Sequence, residues 1–598
     1  MRPAPPATLL ACALLSVAGC ASTAVGDAGT GMRDAAAGAS ATPASDPASV
    51  GPVVAVPQIA RPQGETAQWW YTSGAAHAAR NGAMSGSAHN VIVFLGDGMS
   101  LTTVAAARIL AGQREGKPGE EHLLAWEHFP HTALARTYNV DAQTPDSAGT
   151  MTAIASGVKT RAGVLGIGPA ALRGDCAASV DARLASLLDI AQGAGLRTGI
   201  VTTTRITHAT PAAMYAHSPD RNWENDGQLP PEALADGCRD IASQLVDPRS
   251  GRVPDVVFGG GRMHFLPLTQ VDPEYADRRG RRADGRDLIA EWRTAHPGGA
   301  FVWNRDGLAA AAGRSPVLGL FEYDHLHYEH DRPADPGEPS LAELTTAAIA
   351  RLSGGDTGYL LLVEAGRIDH AHHEGNAYRA LTDTIAMSDA VAAAMAATSD
   401  TDTLVLVTAD HAHTLTFAGY PIRGNPILGK VVGSSGEEAD PDAYARDGTG
   451  LPYTTLGYAN GPGHVGPSAS QPAGPKHHLH RARDQQPATG RADLTAIDTT
   501  DPDYLQEATV PLASESHGGD DVGVWASGPG SAAVRGSLEQ HVLYHVLVQA
   551  TPRLRARLCA IGGCNGDGVP VLLSTAGDAS GAAPVGATRD VVRPAAPR

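Results

Sequence analysis

The sequence predicts an α/β fold: a three-layer sandwich in which a large, mostly parallel central sheet is flanked by helices and carries metal ligands at its strand ends. Two observations predict it. First, apolar runs recur that lead straight into metal-competent residues: Val91–Leu95 precedes Asp97, Tyr359–Val363 precedes Glu364, and Leu404–Val407 precedes Asp410 and His411. Such runs read as buried strands, and open α/β sheets gather ligands at the carboxyl ends of their strands. Second, a chain of 598 residues with 42% hydrophobic content can bury a substantial core. One large domain with an insertion is more natural for it than four small ones.

Residues 1–20 read as a targeting segment. Arg2 precedes the apolar stretch Leu9–Leu15, followed by Val17-Ala18-Gly19-Cys20. The stretch falls short of the roughly 20 apolar residues a spanning helix needs. The four residues ending at Cys20 resemble a bacterial lipobox, with Cys20 as the lipidated N-terminus; a plain cleaved signal is the competing reading. Either route exports the chain, to an outer-membrane lipid anchor in the periplasm or to a soluble periplasmic or secreted form. Residues 21–63 are rich in Ala, Gly, Ser, Thr and Pro and read as a flexible tether, and residues 576–598 have the same character as a disordered tail. The folded domain is therefore expected over residues 64–575.

The densest motif is Val363-Glu364-Ala365-Gly366-Arg367-Ile368-Asp369-His370-Ala371-His372-His373. Asp369 and His373 are four apart, so a helix or tight turn places them on one face. A carboxylate with an imidazole suits zinc. A solvated helix face is the alternative, and it rarely carries three histidines in four positions after a buried strand. Asp97 lies between Gly96 and Gly98, where the backbone can turn sharply. His517 lies in Ser514-Glu515-Ser516-His517-Gly518-Gly519-Asp520-Asp521. Each segment alone is ambiguous; together they supply ligands for two or three cations.

Ser147 follows Thr144-Pro145-Asp146 and precedes a small-residue helix. A helix N-terminus favours an anion, so Ser147 is a candidate nucleophile. On its own the segment reads better as a helix cap by Asp146 or Ser147. The metal set reverses that preference, since zinc can deprotonate a hydroxyl without a general base. No Gly-x-Ser-x-Gly elbow surrounds it, which disfavours a serine–histidine–carboxylate hydrolase.

Asp-Ser-Ala-Gly-Thr, Gly-Arg-Ile-Asp-His-Ala-His-His-Glu and Thr-Ala-Asp-His, in this order, resemble the alkaline phosphatases, and the resemblance runs from about Asn90 to about Cys564. It implies a phosphate monoester hydrolase that forms a phosphoserine on Ser147 and releases inorganic phosphate. It implies one zinc on Asp369, His373 and His517, a second on Asp97, Asp410 and His411 beside Ser147, and a magnesium on Asp97, Glu364 and Thr210. Arg221 would grip two phosphate oxygens with its planar fork; without the resemblance an ordinary surface ion pair is the better reading. His208 and His370 match the animal and some marine bacterial enzymes, where other bacterial members have aspartate and lysine. That match implies that His208 touches the magnesium through water and that His370 sits near the zinc pair. The animal enzymes also imply a calcium site from Glu274, the Phe321 carbonyl, Glu322 and Glu338, all oxygen ligands; three surface glutamates are the alternative.

Four cysteines remain after the signal, and an even count in an exported chain favours disulfides over a zinc ribbon. Resemblance to the animal enzymes implies the pairing Cys176–Cys238 and Cys559–Cys564. It also implies a crown-like insertion over about 420–503 near the site mouth, and a homodimer. Within it, His477, His478 and His480 read as a solvated segment, and 476–498 follows no family pattern. The net charge of −18 argues against nucleic acid as a partner. A membrane contact would come only through the N-terminal anchor, and the expected substrates are small phosphate monoesters of broad range. Two rivals stand beside this reading: another phospho- or sulfo-ester hydrolase of the same superfamily, and a non-catalytic metal or phosphate binder. Ser147 lies in no Cys/Ser-x-Pro-x-Arg motif, and mere metal binding would not need its hydroxyl.

Overall fold

The computed structural model describes residues 65–248, 251–333, 337–433 and 443–573. Cys20, the tether to residue 63 and the tail from 576 lie outside the described residues. Ten strands form the main sheet: β1 (Asn90–Gly96), β2 (His131–Arg136), β3 (Arg197–Arg205), β4 (Val256–Gly260), β5 (Ala300–Val302), β6 (Val317–Leu320), β7 (Tyr359–Ala365), β8 (Thr403–Ala409), β9 (Val522–Ser527) and β10 (Gly536–Glu539). Their order is β10-β2-β9-β8-β1-β7-β3-β4-β6-β5. Only β9 runs against its neighbours β2 and β8. This is the predicted α/β class.

The central strands explain the continuous apolar runs. A parallel strand is covered on both faces, so it needs no polar alternation. Every residue of β7 and β8 is buried, as is every residue of β1 except Asn90. The register places Leu95 opposite Glu364 and Gly96 opposite Ala409. Asp97 and Asp410 therefore leave the sheet side by side, with Glu364 next to them.

The helices that matter for the site are α1 (Ala67–Arg80), α2 (Leu101–Arg114), α3 (Ser147–Ser156), α4 (Leu341–Leu352), α5 (Arg367–His373), α6 (Ala377–Ala397) and α7 (Val542–Ala550). Helix α6 packs on α2, α4 and α5, while α7 packs on α1 and α3. Both disulfides are present, Cys176–Cys238 and Cys559–Cys564.

The segment after β8 builds a small separate sheet, in which Leu456–Gly461 pairs with Leu415–Phe417 and Ala508–Pro511. It is tied back to the start of α6. Gln506 N donates to Gly375 O at 3.0 Å, and Ala377 N donates to the Gln506 side chain at 2.6 Å. Arg379 holds both Asp331 and Asp503. The solvated reading of the histidine segment fits only His477, which is exposed. His478 lies 3.0 Å from Glu374, and His480 donates to Pro462 O at 2.8 Å with Ser468 Oγ at 2.9 Å. Those partners come from 12 to 104 positions away, beyond the reach of a local composition argument.

Candidate active site

At the end of β1 the chain turns through Gly98, whose φ is +69°; a Cβ there would stand 2.3 Å from the His413 ring. Glycine is therefore required by both conformation and space. The turn buries Asp97 completely and lets Gly98 N donate to Asp410 Oδ1 at 3.1 Å. Asp410 also accepts from His411 N at 2.9 Å and Thr150 Oγ1 at 3.1 Å.

Ser147 is the first residue of α3, and its neighbour Asp146 is the cap, accepting from Ala148 N at 3.0 Å. Capping is thus assigned to Asp146, and the serine hydroxyl is left for other work. Its Oγ lies 3.0 Å from His411 Nε2 and 3.5 Å from Asp97 Oδ1. Beside it, Arg221 Nη1 donates to Asp146 Oδ1 at 2.7 Å, and Nη2 donates to His208 Nε2 at 3.0 Å.

Helix α5 puts Asp369 and His373 on one face as the spacing predicts, with Oδ1 to Nε2 at 3.4 Å. His517 Nε2 lies 3.4 Å from the same Asp369 oxygen and 3.1 Å from His373 Nε2. The tautomers decide what this means. His373 Nδ1 donates to Glu515 O at 2.5 Å, His517 Nδ1 to Pro145 O at 2.7 Å and His411 Nδ1 to Ala412 O at 3.2 Å. A carbonyl can only accept, so the facing Nε2 atoms of the neutral rings carry lone pairs. Two lone pairs facing each other at 3.1 Å beside a carboxylate make a cation site. Burial holds His411 well below its ordinary pKa, with His517 adding to the effect, and burial likewise lowers His373. Burial, then Asp410, Asp369 and Glu364, push Asp97 upward, so this carboxylate cluster needs positive charge to stay ionised.

A third group surrounds Glu364. Its Oε2 accepts from Thr202 and, at 3.2 Å, from Thr204. Its other oxygen, Oε1, and Asp97 Oδ2 are buried with no hydrogen-bond partner among the described residues. Thr210 follows β3 in the short turn Ala209–Ala212, and its hydroxyl is likewise buried with no hydrogen-bond partner among the described residues. Asp97, Glu364 and His208 bring ligand atoms within 4.8 Å of one another. The two unpartnered carboxylate oxygens fit a hard cation. His370 lies against His208 with ring centroids 5.3 Å apart and accepts from Arg367 at 2.8 Å.

Sequence reasoning missed three residues here. His413 donates from Nε2 to Asp369 Oδ1 at 2.7 Å and from Nδ1 to Glu515. Both its nitrogens are taken by carboxylates, so it orients a ligand and is not one itself. Burial would lower its pKa, but Glu515 and Asp369 raise it to about 10. The spacing held a signal, since His411 and His413 stand two apart in an extended segment. Glu515 gave none. Nor did His325, whose ring lies 4.3 Å from that of His370 and 5.5 Å from that of His208.

In the expected calcium region, Glu322 and Glu338 come together, but with His327 as the third member. Both are buried, so the surface-glutamate alternative fails for them. His327 Nδ1 lies 3.0 Å from Glu338, and the Tyr275 hydroxyl donates to Glu322 at 3.0 Å. Glu274 instead pairs with Arg262, which also holds Asp272 at 3.0 Å. Phe321 is buried in the core beside them.

The alkaline phosphatase family model matches residues 88–552. The tissue-nonspecific alkaline phosphatase of Gallus gallus is 42% identical over 475 residues, covering 77% of this chain and 84% of that one. That of Homo sapiens is 42% identical over 471 residues, covering 77% and 83%. Among solved structures, the alkaline phosphatase of Thermus thermophilus superposes with a TM-score of 0.54 at 26% identity, covering 79% of this chain and 92% of that one. The enzyme from the Antarctic bacterium TAB5 gives 0.51 at 19% identity, covering 78% and 98%, and supports the fold. With ligand clusters at the ends of β1, β7 and β8, and a match over most of its length, this chain belongs to the alkaline phosphatase family and is a metal-dependent phosphate monoesterase.

Proposed function

We propose that this phosphatase works through a phosphoserine on Ser147 and acts on small phosphate monoesters of broad range. The observation that carries the reading is the placement of Ser147 Oγ, 3.0 Å from His411 and 3.5 Å from Asp97, beside the Arg221 guanidinium. Asp369, His373 and His517 would hold one zinc; Asp97, Asp410 and His411 the second; Asp97, Glu364 and Thr210 a magnesium. When bound, these ions supply charge neutralisation and activate the attacking and leaving oxygens. The residues do the rest. Arg221 turns its fork to two oxygens of the phosphate dianion, and the N-terminus of α3 adds positive potential. Ser147 attacks phosphorus in line, the ester oxygen leaves on the opposite side, and water then releases phosphate from the serine. Most of the rate gain is positioning and charge stabilisation.

The finer assignments follow the same reading. The folded domain spans 64–575 with an insertion over about 420–503, and the chain pairs as a symmetric homodimer. The two disulfides suit an exported protein, with Cys20 lipidated at the outer membrane. Among the described residues no helix is long and apolar enough to cross a membrane. A calcium ion on Glu274, the Phe321 carbonyl, Glu322 and Glu338 would use the Glu274 oxygen that Arg262 does not hold.

The test is p-nitrophenyl phosphate turnover by protein lacking residues 1–20, before and after metal stripping. Loss on stripping and recovery with zinc plus magnesium is expected. A folded, zinc-loaded protein that cleaves a phosphate diester faster than the monoester would overturn the reading.

A further inference from the structure

We infer that Glu515 is the positioning residue of the first zinc site, one residue that orients two of its ligands and delivers the third. The inference rests on the reading that Asp369, His373 and His517 hold zinc. Glu515 is 1% exposed, and among the described residues its ion-pair partner is His413, with no lysine or arginine beside it. An isolated buried carboxylate is costly, so its partners are informative. Its Oε1 accepts from Thr414 N at 2.7 Å and Thr414 Oγ1 at 2.5 Å. Those bonds fix the carboxylate plane and aim Oε2 at His413 Nδ1. The opposite nitrogen of that ring reaches Asp369 Oδ1 at 2.7 Å. A rigid line therefore runs from Thr414 through Glu515 and His413 to one ligand.

The main chain of the same residue holds the second ligand. The Glu515 carbonyl accepts from His373 Nδ1 at 2.5 Å, and its N–H donates to His373 O at 2.9 Å. The third ligand, His517, lies two residues on, in a short ribbon that pairs His517 with His413. The neighbours secure the segment. Gly461, at φ +136°, lets the backbone pass so close that a Cβ there would stand 3.0 Å from Glu515 Cβ. Asn460 accepts from Ser516 N at 2.9 Å and donates to Ser516 Oγ at 3.0 Å. Groups that orient metal ligands are worth about 10–100-fold in metal affinity.

The experiment is zinc release from the fully loaded protein into excess chelator, with zinc counted per chain over time. Wild type is expected to release two zinc ions slowly. In Glu515→Ala, one zinc per chain should leave about 10–100-fold faster while the other keeps its wild-type rate. Glu515→Gln keeps the shape and one acceptor, and should fall between. His413→Gln should match Glu515→Ala, and the double variant should be no worse than either single, because both break one line. Should Glu515→Ala not fold, the Gln variant carries the test. Two zinc ions leaving the variants at the wild-type rate, or both accelerated alike, would overturn the inference. Wild type that retains fewer than two zinc ions would overturn the underlying metal reading instead.

Discussion

Arg221 is held at its place by Asp146, with Nη1 to Oδ1 at 2.7 Å, and Asp146 is at the same time the cap of the helix that begins with Ser147. One carboxylate thus sets the distance between the phosphate grip and the candidate nucleophile. Burial would raise its pKa, but Arg221 and the Gly163 N–H hold it below the usual carboxylate range, so the pair is ionic throughout the working pH range. Arg221→Ala is expected to lower kcat/KM for a monoester by roughly 10–150-fold, the worth of about 1.5–3 kcal/mol for charge-assisted hydrogen bonds. Arg221→Lys should recover part of this, since an ammonium lacks the fork. Inhibition by inorganic phosphate should weaken in parallel, which steady-state kinetics would show.

Ser147→Ala removes the attacking oxygen and leaves the metal ligands in place. Turnover should fall by roughly 10³-fold or more, with zinc content unchanged. Acid quenching of wild type with labelled phosphate should trap label on the protein, and the variant should trap none. Equal labelling of both would place the nucleophile elsewhere.

The third cation position can be separated from the zinc pair. Thr210→Ala and Glu364→Gln should abolish the response to added magnesium while two zinc ions per chain are retained, as metal analysis would show. Removing all metals should lower the melting temperature, because Asp97 and Asp410, both buried with raised pKa values, then face each other without a cation. Saturating metal at about 100 Kd is worth about 2.7 kcal/mol per independent site.

Acid stability has a separate origin. His545 lies in the core between α1 and α7, its Nδ1 without a partner among the described residues, and burial pushes its pKa from 6.5 down to about 3. The unfolded chain takes up a proton here below about pH 6.5, and the folded chain only near pH 3. Between these values the unfolded state binds more protons, so stability falls as pH falls. In His545→Gln the loss should be shallower by up to about 1.4 kcal/mol per pH unit, read from urea midpoints at several pH values.

The two disulfides should differ in worth. Cys176–Cys238 spans 62 positions and Cys559–Cys564 spans 5. Loop-closure entropy gives about 4 and about 2 kcal/mol respectively. Denaturant unfolding of the paired serine variants should rank them in that order.

The buried strands were legible because parallel strands need no polar alternation, so Val91–Leu95 and Leu404–Val407 read as continuous runs that end in Asp97 and Asp410. Asp369 and His373 were legible from helical spacing. Arg221, Thr210 and His208 were found through the family pattern, since nothing local distinguishes them from surface residues. Glu515 and His413 meet across 102 positions, a contact that no window along the chain can show. Glu274 likewise entered through the family pattern, and nothing along the chain announced that folding would bring Arg262 against it. His478 and His480 looked solvated because their partners, Glu374 and Pro462, come from other segments.

Asp410, Asp97 and Glu364 come from three consecutive strands, β8, β1 and β7, paired in register. Neighbouring strands stand about 4.8 Å apart, a distance set by peptide hydrogen bonds and not by side-chain identity. The backbone ladder therefore serves as a gauge block for the chemistry: the separation of the carboxylates, and with it that of the charges they can hold, is inherited from main-chain geometry. A slip of one residue in any of these strands would carry its carboxylate about 3.3 Å along and turn it to the opposite face. The calibration of the site is thus stored in the part of the molecule least able to drift.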